Sequence, residues 1–328
     1  MKPIAKLLCI AALTSVMPLA QLACGGGESN LPPPPPPPGT GVASATASTQ
    51  ASATTSVTTP PPPAPPPPAL VLGAASEDPT PAPTVKITAP TQGQVIPKDK
   101  AADFVVKLDV KNWQTAPGAQ HVHLILDNHP YKPIYDTKAP VKLSELMGGD
   151  PINEGEHILV AFPSRANHES VKTKDALAIM SFWVGKKGEK PSDVKKQPML
   201  IYSRPKGDYK GLMASHVIVD WQLANVTLGE GKDHVHITVL GPGIPDKLEA
   251  KAEKFGPPYF LDNLQNGTYT VKLELMSGSG ADMKLIPGPW NSTTRTIRID
   301  HEAQPDAMPM PSASASAATS ASAAPAKK

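Results

Sequence analysis

The stretch "VKNWQTAPGAQHVHLIL" at residues 110–126 returns, without a gap, as "LANVTLGEGKDHVHITV" at residues 223–239. The two stretches share an Asn and a Gly at matched positions, and both end in an apolar run that contains His-X-His. The flanks keep nearly the same spacing: residues 104–110 match 217–223 at the same offset, and residues 154–162 match 266–274 at an offset one residue shorter. Matches spread over this length with consistent spacing indicate two tandem copies of one domain.

Each copy consists of short runs in which apolar and polar residues alternate, as in residues 104–110, 217–223 and 269–275. Alternation by two is typical of a strand with one face on a core. Turn stretches such as "MGGDP" and "QNGT" separate the runs. The one segment that reads as a short helix is "PDKLEAKAEKF" at residues 245–255. We therefore predict an all-β fold of two tandem antiparallel β-sandwiches, immunoglobulin- or fibronectin-like in general appearance.

Composition divides the chain into six segments. Long Pro/Ala/Ser-rich stretches at both ends contain too few large apolar residues to bury, and we expect them to be disordered. The predicted segments are a signal peptide (1–23), a Pro/Ser/Thr/Ala-rich linker (24–83), the first sandwich (84–185), a short linker (186–197), the second sandwich (198–300) and a tail (301–328).

The N-terminus "MKPIAKLLCIAALTSVMPLAQLAC" has a positive flank, a short apolar core and small residues at its end, which is the layout of a secretory signal. The ending "LAC", followed by three glycines, resembles a bacterial lipoprotein signal. That resemblance implies that Cys24 becomes the lipid-modified first residue of the mature chain. Gln21 departs from the aliphatic residue usual at its position, and the alternative is a plain secreted protein cut near Ala20 or Ala23.

The lipoprotein resemblance also implies a location and a first partner. Gly25 rather than Asp after the cysteine is compatible, in that family, with the outer membrane. More than one acyl chain on Cys24 would hold the protein durably in the membrane. The proline blocks would then form an extended polyproline II stalk that holds the folded body away from the lipid. We expect the second partner to be a protein or polysaccharide of the cell envelope.

Several classes of function are disfavoured by composition. Net charge is +2 with interspersed acids and bases, so nucleic acid is not an expected partner. The two cysteines, Cys9 and Cys24, both precede the predicted sandwiches, which therefore contain no disulfide, thiolate ligand or cysteine nucleophile. No nucleophile elbow and no phosphate-binding loop occur. We predict a non-catalytic binding or structural module rather than an enzyme.

The two His-X-His strands support an alternative, a periplasmic or surface protein that binds zinc or copper. Two imidazoles on one strand face are close enough to chelate one ion together with a third ligand. With the alternating apolar residues facing the core, the histidines lie on the opposite face. The candidate ligands are His121 and His123 in the first copy, and His234, His236, His216 and Asp220 in the second.

Further residues could complete the first site: His129 and His168 from loops, and Asp103 and Asp109 from the preceding strand. The competing interpretation is that both copies inherited the pair from one ancestor because it packs and hydrogen-bonds on a partly covered sheet face. No resident cofactor is predicted under that interpretation.

The segments "HVHLILDN", "EGEHILVAF" and "NHESVK" resemble small bacterial extracytoplasmic β-domains of unassigned function. The resemblance covers about half of the first copy, and in the second copy Tyr269 replaces His157. It implies a β-domain outside the cytoplasm and no particular activity. His157 lies on the inward parity of its strand, so we predict a structural role for it.

Overall fold

The computed structural model describes residues 63–189 and 192–304. The predicted signal peptide, Cys24, the linker as far as residue 62 and the tail from residue 305 lie outside the described residues. The described part contains no apolar helix of membrane-spanning length.

Eighteen strands and a few short helical turns make up the described part. Nine strands and two turns precede residue 189: β1 (Ala69–Leu72), β2 (Thr84–Ala89), β3 (Val95–Ile96), α1 (Lys98–Ala101), β4 (Val105–Lys111), β5 (His121–Leu126), β6 (Lys132–Ile134), β7 (Val141–Lys142), a 3₁₀ turn (Leu143–Leu146), β8 (Gly155–Ser164) and β9 (Ala178–Val184). Sandwich 1 is β2–β9.

Sandwich 2 follows, built from β10 to β18. Its elements are β10 (Met199–Arg204), β11 (Gly207–Lys210), a 3₁₀ turn (Gly211–Ala214), β12 (His216–Ala224), β13 (His234–Leu240), β14 (Leu248–Ala252), β15 (Tyr259–Asp262), β16 (Gly267–Ser277), a 3₁₀ turn (Gly280–Asp282), β17 (Lys284–Leu285) and β18 (Ser292–Asp300).

The two sandwiches share one strand order, as a duplication requires. In sandwich 1 the sheets run β2-β4-β7 and β3-β9-β8-β5-β6; in sandwich 2 they run β15-β12-β10 and β11-β18-β16-β13-β14. Each sandwich has one short parallel pairing, β3 with β9 and β11 with β18, and the remaining pairings are antiparallel. The predicted immunoglobulin-like β-sandwich class is confirmed.

Backbone conformation repeats along with topology. Asn112 and Asn225 both adopt φ 57°, and Gly118 and Gly231 adopt φ 70° and 66°. Left-handed backbone is accessible at little cost mainly to Gly, Asn and Asp. The matched residues of the repeat are therefore those that the turn before each His-X-His strand requires.

Two segments differ from the sequence-based expectation. Residues 245–255, the candidate helix, contain β14 instead, because Leu248, Ala250 and Ala252 alternate with charged residues and the strand pairs with β13. Residues 69–72, placed in the linker, form β1, which pairs with β15 and adds a fourth strand to the smaller sheet of sandwich 2. Leu70 packs on the sandwich 2 core, and an open sheet edge offers the backbone partners that β1 needs.

The residues between β1 and β2 form an arm (residues 73–83) that connects the two sandwiches. Gly73 N donates to Pro258 O of sandwich 2 at 2.8 Å. Farther along, Ser76 Oγ donates to Glu169 Oε2 of sandwich 1 at 2.5 Å, and Asn112 donates to Ala82 O at 3.0 Å. The arm therefore starts on sandwich 2 and leads into β2, the first strand of sandwich 1.

Each sandwich has its own apolar core, and a third apolar cluster joins them. Ile125, Val160 and Phe162 on the outer face of sandwich 1 pack with Met199 and Ile201 on the outer face of β10. We call this contact, with the polar pairs around it, the junction. It buries a sheet face that an antiparallel sheet normally leaves to water.

A buried ion pair lies in the junction beside this cluster. Lys172 Nζ is 2.5 Å from Asp220 Oδ1, with the two side chains 10% and 0% exposed. Asp220 Oδ2 also accepts from Ser170 N at 3.0 Å. Removing one partner of such a pair leaves the other charge buried without compensation.

We expect Lys172→Met to lower the free energy of unfolding by roughly 3–5 kcal/mol, the usual cost of an orphaned buried charge. Urea unfolding followed by tryptophan fluorescence measures it. Lys111→Met is the matched control, because its pair with Asp109 is 4.0 Å long and both side chains are exposed. Equal effects of the two substitutions would contradict the assigned role of the junction pair.

Candidate functional site

Strand β5 places its two histidines on the face opposite the sandwich 1 core. Val122, Leu124 and Leu126 belong to that core, whereas Ile125 belongs to the junction cluster. His121 and His123 share the parity of Ile125, and both are fully buried. The sequence-derived parity is therefore confirmed, but the face is covered by sandwich 2.

His168 reaches the same place from the loop that follows β8. The loop is a tight turn in which His168 N donates to Arg165 O at 2.9 Å and His168 adopts φ 68°. Strand β8 pairs with β5 so that Ser164 lies opposite His121, which brings the loop directly over the β5 histidines. Among the described residues, His121, His123 and His168 are the one group of three or more potential metal ligands that converge. We call them the three-histidine cluster.

Three imidazole nitrogens face one another in this cluster. His121 Nε2 is 3.0 Å from His123 Nε2 and 3.0 Å from His168 Nδ1, and the three ligand atoms all lie within 4.8 Å. The outer nitrogens are also held: His121 Nδ1 lies 2.8 Å from Ala119 O, and His123 Nδ1 lies 3.0 Å from Ser203 Oγ of sandwich 2.

Aromatic rings fix the imidazoles further. Tyr131 stacks on His123 with ring centroids 3.4 Å apart and planes 12° apart, and Phe162 meets His123 edge-on at 5.3 Å. The Tyr131 hydroxyl lies 3.3 Å from His168 Nδ1. His123 consequently has little freedom to rotate away.

The surroundings keep all three rings neutral. Burial lowers the pKa of His121 and His123, and the Arg204 and Lys206 cations lower both further. Burial, with the same two cations, lowers the pKa of His168 to about 2. A neutral imidazole keeps a lone pair on one nitrogen, which is the form that binds metals.

The second His-X-His pair is arranged differently. His234 and His236 of β13 are also buried, yet their ring centroids are 6.3 Å apart, against 4.9 Å for His121 and His123. His236 Nε2 pairs with Glu249 at 3.1 Å, and Glu249 also meets Lys247 at 2.9 Å. Within residues 63–189 and 192–304, His234 Nε2 and His236 Nδ1 are buried without a hydrogen-bond partner.

His216 and Asp220 do not join that second pair. Both lie on the outer face of β12, in the smaller sheet, whereas His234 and His236 lie on β13 in the larger one. His216 pairs with Asp262 at 2.6 Å and stacks on Phe260, and Asp220 is held in the junction by Lys172. The two sheets of a sandwich turn their outer faces in opposite directions, so these residues cannot meet.

The remaining first-copy candidates have other contacts. His129 lies 3.9 Å from Asp150, Asp103 pairs with Lys142 at 2.7 Å, and Asp109 lies 4.0 Å from Lys111. His168 is thus the loop residue that completes the cluster. Sequence reasoning named it beside His129 without distinguishing the two, because the pairing of β5 with β8 decides which loop lies above β5.

His157 and Tyr269 occupy equivalent positions and make equivalent contacts. His157 Nε2 donates to Asn153 O at 2.9 Å, and the Tyr269 hydroxyl donates to Gln265 O at 3.1 Å, each four residues upstream. A tyrosine at this strand corner that bonds back to the backbone is a known feature of immunoglobulin-like sandwiches. His157 also meets Asp127 Oδ2 at 2.5 Å. These contacts support the structural role predicted for His157.

Comparison with known proteins finds no family model and no curated protein that matches the chain. Similar solved structures include the fibronectin(III)-like modules of Clostridium thermocellum CbhA, with 13% identity and TM-score 0.23, covering 67% of this chain and 97% of that one. A putative membrane anchored protein from Corynebacterium diphtheriae shows 14% identity and TM-score 0.20, covering 69% and 60%. At these TM-scores the likeness supports no inference about function.

His157 predicts a pH dependence of stability. Burial disfavours the protonated ring, but the hydrogen bond and charge of Asp127 outweigh it and raise the pKa of His157 above its usual 6.5. The protonated ring therefore stabilises the fold fully below pH 6.5, and this contribution is lost as pH rises through the raised pKa. We expect His157→Gln to cost more free energy of unfolding at pH 5.5 than at pH 9, measured by urea unfolding.

Tyr269→Phe is the matched control for that experiment. Burial raises the pKa of the Tyr269 hydroxyl, so it stays neutral at both pH values. Its loss should cost about 1–3 kcal/mol, the price of unsatisfied backbone partners, with little change between the two conditions. A His157→Gln cost independent of pH would show that Asp127 does not hold a protonated ring.

Proposed function

We propose that this protein is an exported lipoprotein, anchored through Cys24, whose two sandwiches act together as one non-catalytic binding or structural module of the cell envelope. The observation that carries the proposal is the junction together with the arm. Two domains that only followed one another on a linker would be free to reorient, whereas these two share buried side chains, and β1, which precedes sandwich 1 in the chain, pairs with sandwich 2.

The apolar part of the junction is the first support. Ile125, Phe162, Met199 and Ile201 are at most 1% exposed. Apolar area removed from water stabilises by about 25 cal/mol per Å², so fully burying side chains of this size contributes roughly 1.5–3 kcal/mol each. Domain motion that opened the junction would expose them all.

Polar contacts make the junction specific as well as stable. Gln222 Nε2 of sandwich 2 donates to Val171 O at 2.7 Å, and Ser170 Oγ donates to Trp221 O at 3.3 Å. With the buried Lys172–Asp220 pair, these bonds tie the loop after β8 to strand β12. Each is oriented, so together they favour one relative placement of the sandwiches.

The arm supports the same conclusion and relates it to the proposed anchor. The stalk would lead from Cys24 towards β1, which pairs with sandwich 2, before the chain enters sandwich 1 at β2. A pull from the membrane would therefore meet sandwich 2 first and reach sandwich 1 through the arm and the junction. Such a body can present one fixed surface to a protein or polysaccharide of the envelope.

The anchor is tested by metabolic labelling of cells with a clickable fatty-acid analogue. We expect the full chain to be labelled and Cys24→Ala to lose the label, because Cys24 would be the acylated residue. Cys9→Ala is the matched control, since Cys9 lies inside the apolar part of the signal and should leave labelling unchanged. A label retained by Cys24→Ala would exclude the lipoprotein.

The rigid module is tested by spin-label distances in a full chain with Cys9 and Cys24 replaced by Ala. Spin labels on cysteines introduced at the exposed positions Lys107 of sandwich 1 and Lys251 of sandwich 2 should give a narrow distance distribution. A pair at Lys251 and Arg298, both in sandwich 2, gives the width that arises from the labels alone. A much broader distribution for the first pair would contradict a single rigid module.

A further inference from the structure

We propose that His121, His123 and His168 bind one transition-metal ion, zinc or copper, beside the junction. This site goes beyond the proposed anchored module and does not depend on it. The proposal also replaces the two-site arrangement suggested by the repeated motif with a single site in sandwich 1.

Hydrogen bonding alone does not account for the cluster. His121 Nδ1 faces the Ala119 carbonyl, which only accepts, so Nδ1 carries the proton and Nε2 of the neutral ring has a lone pair. His123 Nε2 and His168 Nδ1 both lie 3.0 Å from His121 Nε2, which has only that one lone pair. One in-plane lone pair accepts one good hydrogen bond, so one of the two 3.0 Å contacts holds no proton, even when the Tyr131 hydroxyl donates to His168 Nδ1. A shared cation satisfies all three nitrogens at once.

The spacing fits a metal site. Zinc–imidazole bonds of about 2.0–2.1 Å in a tetrahedral site place the nitrogens about 3.3 Å apart. The two short separations here are 3.0 Å, and the remaining one is at most 4.8 Å, so small shifts of the His168 loop suffice. The Tyr131 hydroxyl lies 3.3 Å from His168 Nδ1 and offers an oxygen close to a fourth position.

The cluster also has the outer contacts that metal-binding histidines usually have. Ligating histidines commonly donate their second nitrogen to a carbonyl or another polar group, which fixes the tautomer and the ring orientation. Ala119 O performs this role for His121, and Ser203 Oγ contacts His123. Because Ser203 belongs to sandwich 2, the metal site would be coupled to the junction.

The ligand set selects the kind of metal. Three imidazoles without a carboxylate or a thiolate suit zinc and copper, whereas calcium and magnesium require oxygen ligands. The Arg204 and Lys206 cations act on the same rings, which disfavours added positive charge and makes monovalent copper worth testing beside zinc.

The second His-X-His pair supplies an internal control. It has the same sequence pattern and the same carbonyl contact, His234 Nδ1 to Lys232 O at 3.2 Å. Its two rings are farther apart, and His236 Nε2 contacts the Glu249 carboxylate. No third histidine of the described residues joins the pair. The proposal therefore assigns no ion to His234 and His236.

The experiment uses the detergent-solubilised full chain, stripped with a chelator and titrated separately with Zn²⁺ and with Cu⁺ against a chromophoric competitor. We expect one ion per chain for at least one metal. His168→Asn should lower its affinity at least 100-fold, and the double variant His234→Asn/His236→Asn should leave it unchanged. Cys24 is present in every variant, so the differences report on the histidines alone.

Thermal unfolding without metal checks that each variant folds. His168 lies in a loop, so its replacement should preserve the fold, and His123→Gln provides a second variant. A wild-type chain that binds neither ion overturns the proposal, whatever the variants do. It is also overturned if folded His168→Asn binds as tightly as wild type, or if only the His234/His236 variant loses the ion.

Discussion

The rest of the structure depends on the burial of both faces of one sheet in sandwich 1. All six residues of β5 are buried, the even-numbered ones in the core of sandwich 1 and the odd-numbered ones against the junction or the cluster. An antiparallel sheet of a single domain would leave the second face to water. Covering it requires sandwich 2, and the polar groups on it then need partners of their own. The junction, the buried ion pair and the three-histidine cluster all follow from that requirement.

Duplication repeated the fold, but the two copies have different neighbours. The turn conformations, the strand order and the strand corner are preserved, with His157 and Tyr269 making the same backbone contact. The outer faces are not preserved. In sandwich 1 the His-X-His pair meets Ser203 and His168, whereas in sandwich 2 the corresponding pair meets Glu249. One ancestral pattern therefore has two chemical environments, and only the first has converging imidazoles.

Several cations at the junction have no carboxylate partner among the described residues. Arg204 and Arg295 are buried and Lys206 is partly buried, and none of the three pairs with a carboxylate among residues 63–189 and 192–304. Aromatic faces partly compensate: Lys206 Nζ lies 4.0 Å from the Tyr131 ring centre, and the Arg295 guanidinium lies 4.5 Å from that of Tyr202. Burial, followed by the neighbouring arginines, lowers the pKa of Lys206 to about 8. Burial first, and then the Arg204 and Lys206 cations, lower the pKa of the nearby imidazoles, so the rings are neutral and able to donate lone pairs.

The sequence by itself determined the local properties of this protein. Period-two alternation identifies the strands, the matched Asn and Gly residues reveal the duplication, and parity places His121 and His123 away from the core, because each of these depends on neighbours along the chain. Tertiary structure decided what those elements meet. It turned residues 69–72 into an edge strand and residues 248–252 into a strand rather than a helix. It also made His168 rather than His129 the partner of His121 and His123, and it kept His216 and Asp220 away from the second pair. Such outcomes depend on which sheet edges and faces remain open after folding. The alternation of apolar and polar residues along the chain does not specify those edges and faces.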